Sequence, residues 1–122
     1  MTEIVPHRVA IVDDDQAVRD SLQFLLETIG YPVETFASAA EFLRANKRHL
    51  TDLILDHHMP EMTGLELAER LQADGSGIPI LLITDSPSPM VAARAAEAGI
   101  NRVLEKPLME EDLLDFINAT RS

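Results

Sequence analysis

The sequence predicts an α/β domain in which a parallel five-stranded sheet lies between two layers of helices. Three observations lead there. Short unbroken apolar runs such as Leu53-Ile54-Leu55 recur along the chain, and runs of this kind suit strands buried on both faces. Between them lie segments whose apolar residues fall at helical spacing, and strands alternating with helices imply parallel pairing through right-handed crossovers. Finally, several apolar runs end on residues able to do chemistry: Asp13, Asp56, Thr84 and Lys106. Open parallel sheets place their sites outside such strand ends, near the topological switch point.

The elements follow in order. Arg8-Val9-Ala10-Ile11-Val12 is a buried strand, and Val18, Leu22, Leu25, Leu26 and Ile29 make a helical stripe that Gly30 is placed to end. Tyr31 to Phe36 alternates like a half-exposed strand, and Pro32 near its start suits a sheet edge, where a missing donor is tolerated. Ser38-Ala39-Ala40-Glu41 has the spacing of a capping box and opens a helix carrying Phe42 and Leu43. The strand ending at Asp56 follows and is stopped by Pro60. A second capping box, Thr63-Gly64-Leu65-Glu66, opens a helix with Leu67 and Leu71 on one face. After the turn Asp74-Gly75-Ser76-Gly77, the run Ile78 to Ile83 gives a strand ending at Thr84. Ser88 is placed as an N-cap with Pro89 in the first turn, and the alanine-rich helix Met90 to Ala98 closes at Gly99. Arg102 to Glu105 is the last strand; after Lys106-Pro107, a final helix carries Leu113, Leu114, Phe116 and Ile117.

The 122 residues suffice for one domain with a real core, expected to span residues 1–122 with its packed part at about 7–119. No apolar run approaches the roughly 20 residues of a membrane span. The start Met1-Thr2-Glu3-Ile4-Val5-Pro6 lacks the basic and apolar regions of a secretory signal. With no cysteine, disulfides and cysteine-ligated zinc are excluded. These absences suit the cytoplasm. A net charge of −11 argues against nucleic-acid binding by this domain, since duplex affinity rests on neutralising phosphates.

Asp13, Asp14, Asp56, Thr84 and Lys106 are brought to one edge of such a sheet. Clustered carboxylates repel one another unless a cation joins them. Hard oxygen donors without histidine or cysteine suit Mg²⁺. A hydroxyl and an ammonium opposite them suit the oxygens of a transferred phosphoryl group, and phosphoryl transfer depends mostly on positioning and charge neutralisation. An acidic cluster after a strand also has a plainer reading, a solvated helix start with one Asp as N-cap, and Asp15 is assigned that role.

Five pieces in order, Ile11-Val12-Asp13-Asp14-Asp15, Leu55-Asp56-His57-His58-Met59-Pro60, Met62-Thr63-Gly64-Leu65-Glu66, Ile83-Thr84 and Glu105-Lys106-Pro107, make the chain resemble the receiver domain of two-component response regulators. This is the CheY-like superfamily. Val18-Arg19-Asp20-Ser21-Leu22 and Glu105-Lys106-Pro107-Leu108 resemble its FixJ-like subfamily. The resemblance implies a flavodoxin-like (βα)5 sandwich with strand order 2-1-3-4-5. It implies that Asp56 accepts a phosphoryl group from a sensor histidine kinase or phosphotransfer protein. Asp14, Asp56 and the His58 backbone carbonyl would ligate Mg²⁺, with Asp13 acting through water. Thr84 would bind a phosphoryl oxygen, Lys106 would pair with the acyl phosphate, and the Lys106-Pro107 bond would be cis, as in many relatives. The domain would hydrolyse its own acyl phosphate slowly without turning over outside substrates, so it is not an enzyme in the ordinary sense. A homodimer or an output domain would use the face made by the fourth helix, last strand and last helix, and no membrane is involved.

The chain also departs from the family pattern. Asp85 stands after the threonine, where a small residue is usual; the loop Ser86-Pro87-Ser88-Pro89 is one residue shorter than in FixJ-like relatives; and Val103 replaces the usual Phe or Tyr on the last strand. These departures sustain a rival reading, a pseudo-receiver that binds partners without phosphorylation. Asp56-His57-His58 also spells the opening of DHH phosphoesterases, but His7 and His49 are not placed to complete that metal site.

Overall fold

The computed structural model describes residues 7–119. Within them the expected alternation is complete: β1 (Val9–Val12), α1 (Gln16–Ile29), β2 (Val33–Phe36), α2 (Ala39–Arg44), β3 (Asp52–Asp56), α3 (Gly64–Ala73), β4 (Ile80–Thr84), α4 (Pro89–Glu97), β5 (Arg102–Glu105) and α5 (Glu110–Ala119). The strands form one sheet in the order β2-β1-β3-β4-β5, with every pairing parallel. Pro32 lies just outside the edge strand β2, and its carbonyl accepts from Val9 N–H at 3.0 Å.

The apolar runs have no polar face because both faces of the sheet are covered, and strand parity decides which core each residue joins. Ala10, Val12, Leu53, Leu55 and Leu82 pack with Phe42 of α2, Leu65 and Leu71 of α3 and Val91 of α4. Val9, Ile11, Ile54, Leu81 and Ile83 pack on the other side with Leu22 and Leu26 of α1 and Phe116 and Ile117 of α5. Each fully buried side chain of this size stabilises the fold by about 1.5–3 kcal/mol before entropy is counted.

The helix ends follow local chemistry. Asp15 caps α1, its carboxylate accepting from Ala17 and Val18 N–H, and Gly30 closes the helix in the left-handed conformation at φ 112°. Thr63 and Glu66 form the full reciprocal capping box on α3. At α2 the box is only half made. Ser38 accepts from Glu41 N–H, but the Glu41 carboxylate turns to the N–H of Ala37. Lys47 then closes α2, its ammonium donating to the carbonyls of Phe42, Leu43 and Ala45 at 2.9–3.3 Å.

The turn between β3 and α3 carries local strain. Met62 N–H donates to Pro60 O at 2.8 Å, closing a three-residue turn around Glu61, which sits at φ 70°. A side chain disfavours that region and glycine does not. Glu61→Gly is therefore expected to raise the thermal midpoint by a few degrees, equivalent to about 1 kcal/mol. Calorimetry of the two proteins checks this, and a lower midpoint would show that Glu61 makes a compensating contact.

Candidate functional site: a carboxylate pocket at the carboxyl end of the sheet

The parallel ladders run slightly past the strands, and this builds the site. Asp13 N–H donates to Phe36 O at 3.1 Å, His57 N–H to Ile83 O at 2.9 Å and Lys106 N–H to Thr84 O at 3.0 Å. Alternation therefore continues into the functional residues. Asp13 follows Ile11 by two positions, Asp56 follows Ile54 and Lys106 follows Leu104, and all three predecessors belong to the core under α1 and α5. Thr84 follows Leu82, which belongs to the opposite core. The two carboxylates and the ammonium thus gather on one side, and the hydroxyl approaches from the other.

Carboxylate oxygens of Asp13, Asp14 and Asp56 lie within 4.8 Å of one another. Asp13 and Asp56 are each 2% exposed, whereas Asp14 is open to solvent. Lys106 Nζ stands 3.0 Å from Asp56 Oδ1. The contact is close enough for an ion pair but poorly aligned as a hydrogen bond, so Oδ1 keeps no well-directed donor. Burial pushes the Asp13 carboxyl up to about 6 from an ordinary 3.8. The N–H of Asp15, bound to Asp13 Oδ1 at 2.9 Å, opposes this, and the neighbouring Asp56 charge reinforces it. Burial works against the charge on Lys106, but Asp56, with Asp13 and Asp85 behind it, outweighs burial and holds the ammonium above its usual range.

Thr84 is fully buried, and its hydroxyl oxygen accepts from Ser86 N–H at 3.1 Å. His58 is exposed and brings its Nε2 to 3.5 Å from the same hydroxyl. Burial lowers the His57 imidazole, aided by His58, whose ring centroid is 5.0 Å away. Asp85 is exposed at the rim. The other two histidines are engaged elsewhere. His7 Nδ1 is 2.6 Å from Asp52 at the opposite end of β3, and His49 pairs with Glu34 on β2. They lend nothing to the Asp56-His57-His58 run, as the sequence suggested.

Two contributors are visible only in three dimensions. Arg19 Nη1 donates to the Asp13 carbonyl at 2.7 Å, tying α1 to the acidic loop. Gly64 opens α3 against the end of β3, its N–H donating to His57 O at 3.0 Å. A Cβ there would lie 2.5 Å from the Asp56 carbonyl oxygen and 2.7 Å from a Leu82 methyl. A glycine at the first helical position was the sequence signal available. Beside Lys106, a cleft of about 550 Å³ opens between α1 and the following turn, lined by Val18, Ser21, Leu22, Ile83, Lys106 and Leu108 among others.

The sequence profile of the response regulator receiver domain matches residues 9–118. The chain belongs to the response regulator receiver domain family. The response regulator protein TodT of Pseudomonas putida is 41% identical over 112 residues, which cover 91% of this chain and 49% of TodT. A CheY-like receiver domain protein from Methanospirillum hungatei JF-1 superposes with a TM-score of 0.86 at 32% identity, covering 93% of this chain and 92% of that one. The crystal structure of FixJ-N gives a TM-score of 0.84 at 32% identity, covering 99% and 95%. The flavodoxin-like receiver fold expected from the sequence is thus established, with the strand order it required. The receiver spans about half the length of the curated relatives it matches. No helix among the described residues is long and apolar enough to cross a membrane.

The raised Asp13 carboxyl has a direct consequence for stability. Below about pH 4 it is protonated both folded and unfolded and costs nothing. As pH rises through about 6, the folded state must carry a charge that the unfolded chain carries more easily, so stability falls. The loss should reach roughly 2–3 kcal/mol in metal-free protein. Asp13→Asn removes that liability, so its stability advantage over wild type should grow between about pH 4 and pH 7 in EDTA, as read by urea unfolding. A constant difference would contradict the assignment.

Proposed function

We propose that this receiver domain is a phosphoacceptor, with residues 1–122 acting as one unit and Asp56 taking the phosphoryl group of a phosphohistidine. The observation that carries the reading is the buried Asp56 carboxylate, held 3.0 Å from Lys106 and flanked by two more carboxylates. An oxygen of Asp56 attacks phosphorus as the P–N bond to the donor imidazole breaks. Lys106 is already charged beside that oxygen and neutralises the growing negative charge on the acyl phosphate. Thr84 donates its hydroxyl proton to a phosphoryl oxygen.

The acidic pocket fits a hard divalent cation. It has oxygen donors only, with Asp13 and Asp56 buried and Asp14 open to solvent, and burial raises the Asp13 carboxyl, with the Asp56 charge adding to it. Asp14, Asp56 and the His58 carbonyl would hold Mg²⁺, with Asp13 bound through water. The ion would supply charge neutralisation at the phosphoryl oxygens. The acyl phosphate would hydrolyse slowly at the same site, without turnover of external substrates.

The partners follow from this chemistry: a sensor histidine kinase or phosphotransfer protein as donor, in the cytoplasm, with no nucleic acid bound by this domain. The apolar cleft beside Lys106 gives a donor protein somewhere to rest. An output domain or a second copy would use the α4–β5–α5 face, where Met90 of α4 and Met109 just before α5 are 68% and 61% exposed. Val103 of β5 is packed partly into the core and has no ring to turn, so the signal would leave mainly through backbone movement of the loop from Thr84 to Pro89. The pseudo-receiver reading draws on Val103 and Asp85, but it leaves the Asp56–Lys106 pair without a role.

Incubation with acetyl phosphate and Mg²⁺ should add one phosphoryl mass to the wild type and none to Asp56→Asn. Undiminished labelling of that variant would remove Asp56 from the role, and an unlabelled wild type would favour the pseudo-receiver.

Asp85 has an opposite effect on small donors. Its charge reaches Lys106, so it should also repel an incoming anion, by about 1 kcal/mol at 4 Å in water. Asp85→Ala should react with acetyl phosphate about fivefold faster. An unchanged or slower rate in a mass-spectrometric time course would give Asp85 a positive role instead.

A further inference from the structure

The Thr84 hydroxyl has one proton to give and two lone pairs with which to accept. One lone pair is taken by Ser86 N–H at 3.1 Å. A backbone N–H cannot receive the hydroxyl proton in return. Among the described residues, the acceptor within reach is His58 Nε2 at 3.5 Å. Thr84 is fully buried while His58 is exposed, so the imidazole covers a buried hydroxyl from the solvent side. Its neighbour His57 packs against it, with the two rings tilted by 58°.

We propose that the His58 side chain is a positioning residue that competes with the phosphoryl group for the Thr84 hydroxyl proton, and so holds the domain in its unphosphorylated arrangement. The inference rests on the reading above that Thr84 donates to a phosphoryl oxygen. Before phosphorylation, Thr84 O–H donates to Nε2 and the imidazole carries its own proton on Nδ1. After phosphorylation, the same hydroxyl proton turns to a phosphoryl oxygen and Nε2 is released to water. One proton cannot serve both acceptors. Interactions made in only one of two states set the balance between them. The contact favours the unphosphorylated state alone and is long for a hydrogen bond, so it is a weak latch. The His58 backbone carbonyl is separate and remains in place when the side chain is changed.

Two measurements test this. The first is the His58 tautomer in the wild-type, metal-free domain, read from imidazole nitrogen shifts at about pH 8. The expected form carries hydrogen on Nδ1 with Nε2 accepting. The opposite tautomer, with hydrogen on Nε2, would overturn the proposal, because Nε2 would then donate to Thr84 and leave its proton free.

The second is a double-mutant cycle on beryllofluoride binding with Mg²⁺, followed by fluorine NMR in wild type, His58→Ala, Thr84→Val and the double variant. His58→Ala should tighten binding about two- to fivefold when Thr84 is present and leave it unchanged in the Thr84→Val background. Equal tightening in both backgrounds would mean that His58 merely obstructs the entrance, and no tightening would mean that it holds nothing; either result overturns the proposal. If the wild type binds no beryllofluoride although the expected tautomer is present, the phosphoacceptor reading fails and takes the competition with it. If it binds beryllofluoride but carries the other tautomer, only the latch fails.

Discussion

A carboxylate that is 2% exposed is costly to bury unless a positive charge stands beside it, and this cost governs the carboxyl end of the sheet. Asp56 meets it with Lys106, at the end of a strand two places away in the sheet order. The pairing depends on register: a slip of one residue in β4 or β5 would turn Lys106 to the other face and strand a buried charge. Even so, three carboxylates lie near one ammonium, and Asp13, raised mainly by its burial and further by the Asp56 charge, holds its proton up to about 6. Among the described residues, the pocket therefore gathers more carboxylate than ammonium, which is the electrostatic setting that the proposed cation would relieve.

Much of this was legible in the sequence because it rests on local rules. Apolar runs marked the strands, polar residues at their ends marked the site, and the caps at Asp15, Thr63 and Ser88 followed from residue type and spacing. The Ser38 box was only half right. Spacing allows Glu41 to reach back, but the conformation before Ser38 decides which N–H it finds, and it found that of Ala37. Glu61 carried no mark of its positive φ, because that angle is imposed by the path between Pro60 and α3. Gly64 looked like one position in a capping box, and its contact with the Asp56 carbonyl exists only once α3 docks on β3. Arg19 and Lys47 acted as carbonyl ligands for the same kind of reason: long side chains reach partners that no periodicity announces.

The distance from the site to the rest of the molecule is short. Thr84, Ser86 and Ser88 follow one another at alternate positions, and two of their hydroxyls each hold a backbone N–H. Ser86 N–H is held by the Thr84 hydroxyl, and Val91 N–H by the Ser88 hydroxyl that caps α4. A rotation of Thr84 therefore releases a backbone donor in the very loop that fixes where α4 begins. The buried glycine contact at the start of α3 does the opposite on the neighbouring side, clamping that helix to the end of β3.

The sheet itself has a consequence beyond the site. It divides the apolar interior into two groups, one beneath α2, α3 and α4 and one beneath α1 and α5. Among the described residues, the strands lie between them. A disturbance of packing on one side can loosen its own helices while the other side stays dense, so partial openings of this domain should divide along the plane of the sheet. The helices whose neighbours gather around the alanine-rich α4 and those that flank the Lys106 cleft would then exchange their amide hydrogens as two separate cooperative units. The five strands, shared by both, would be the last to open.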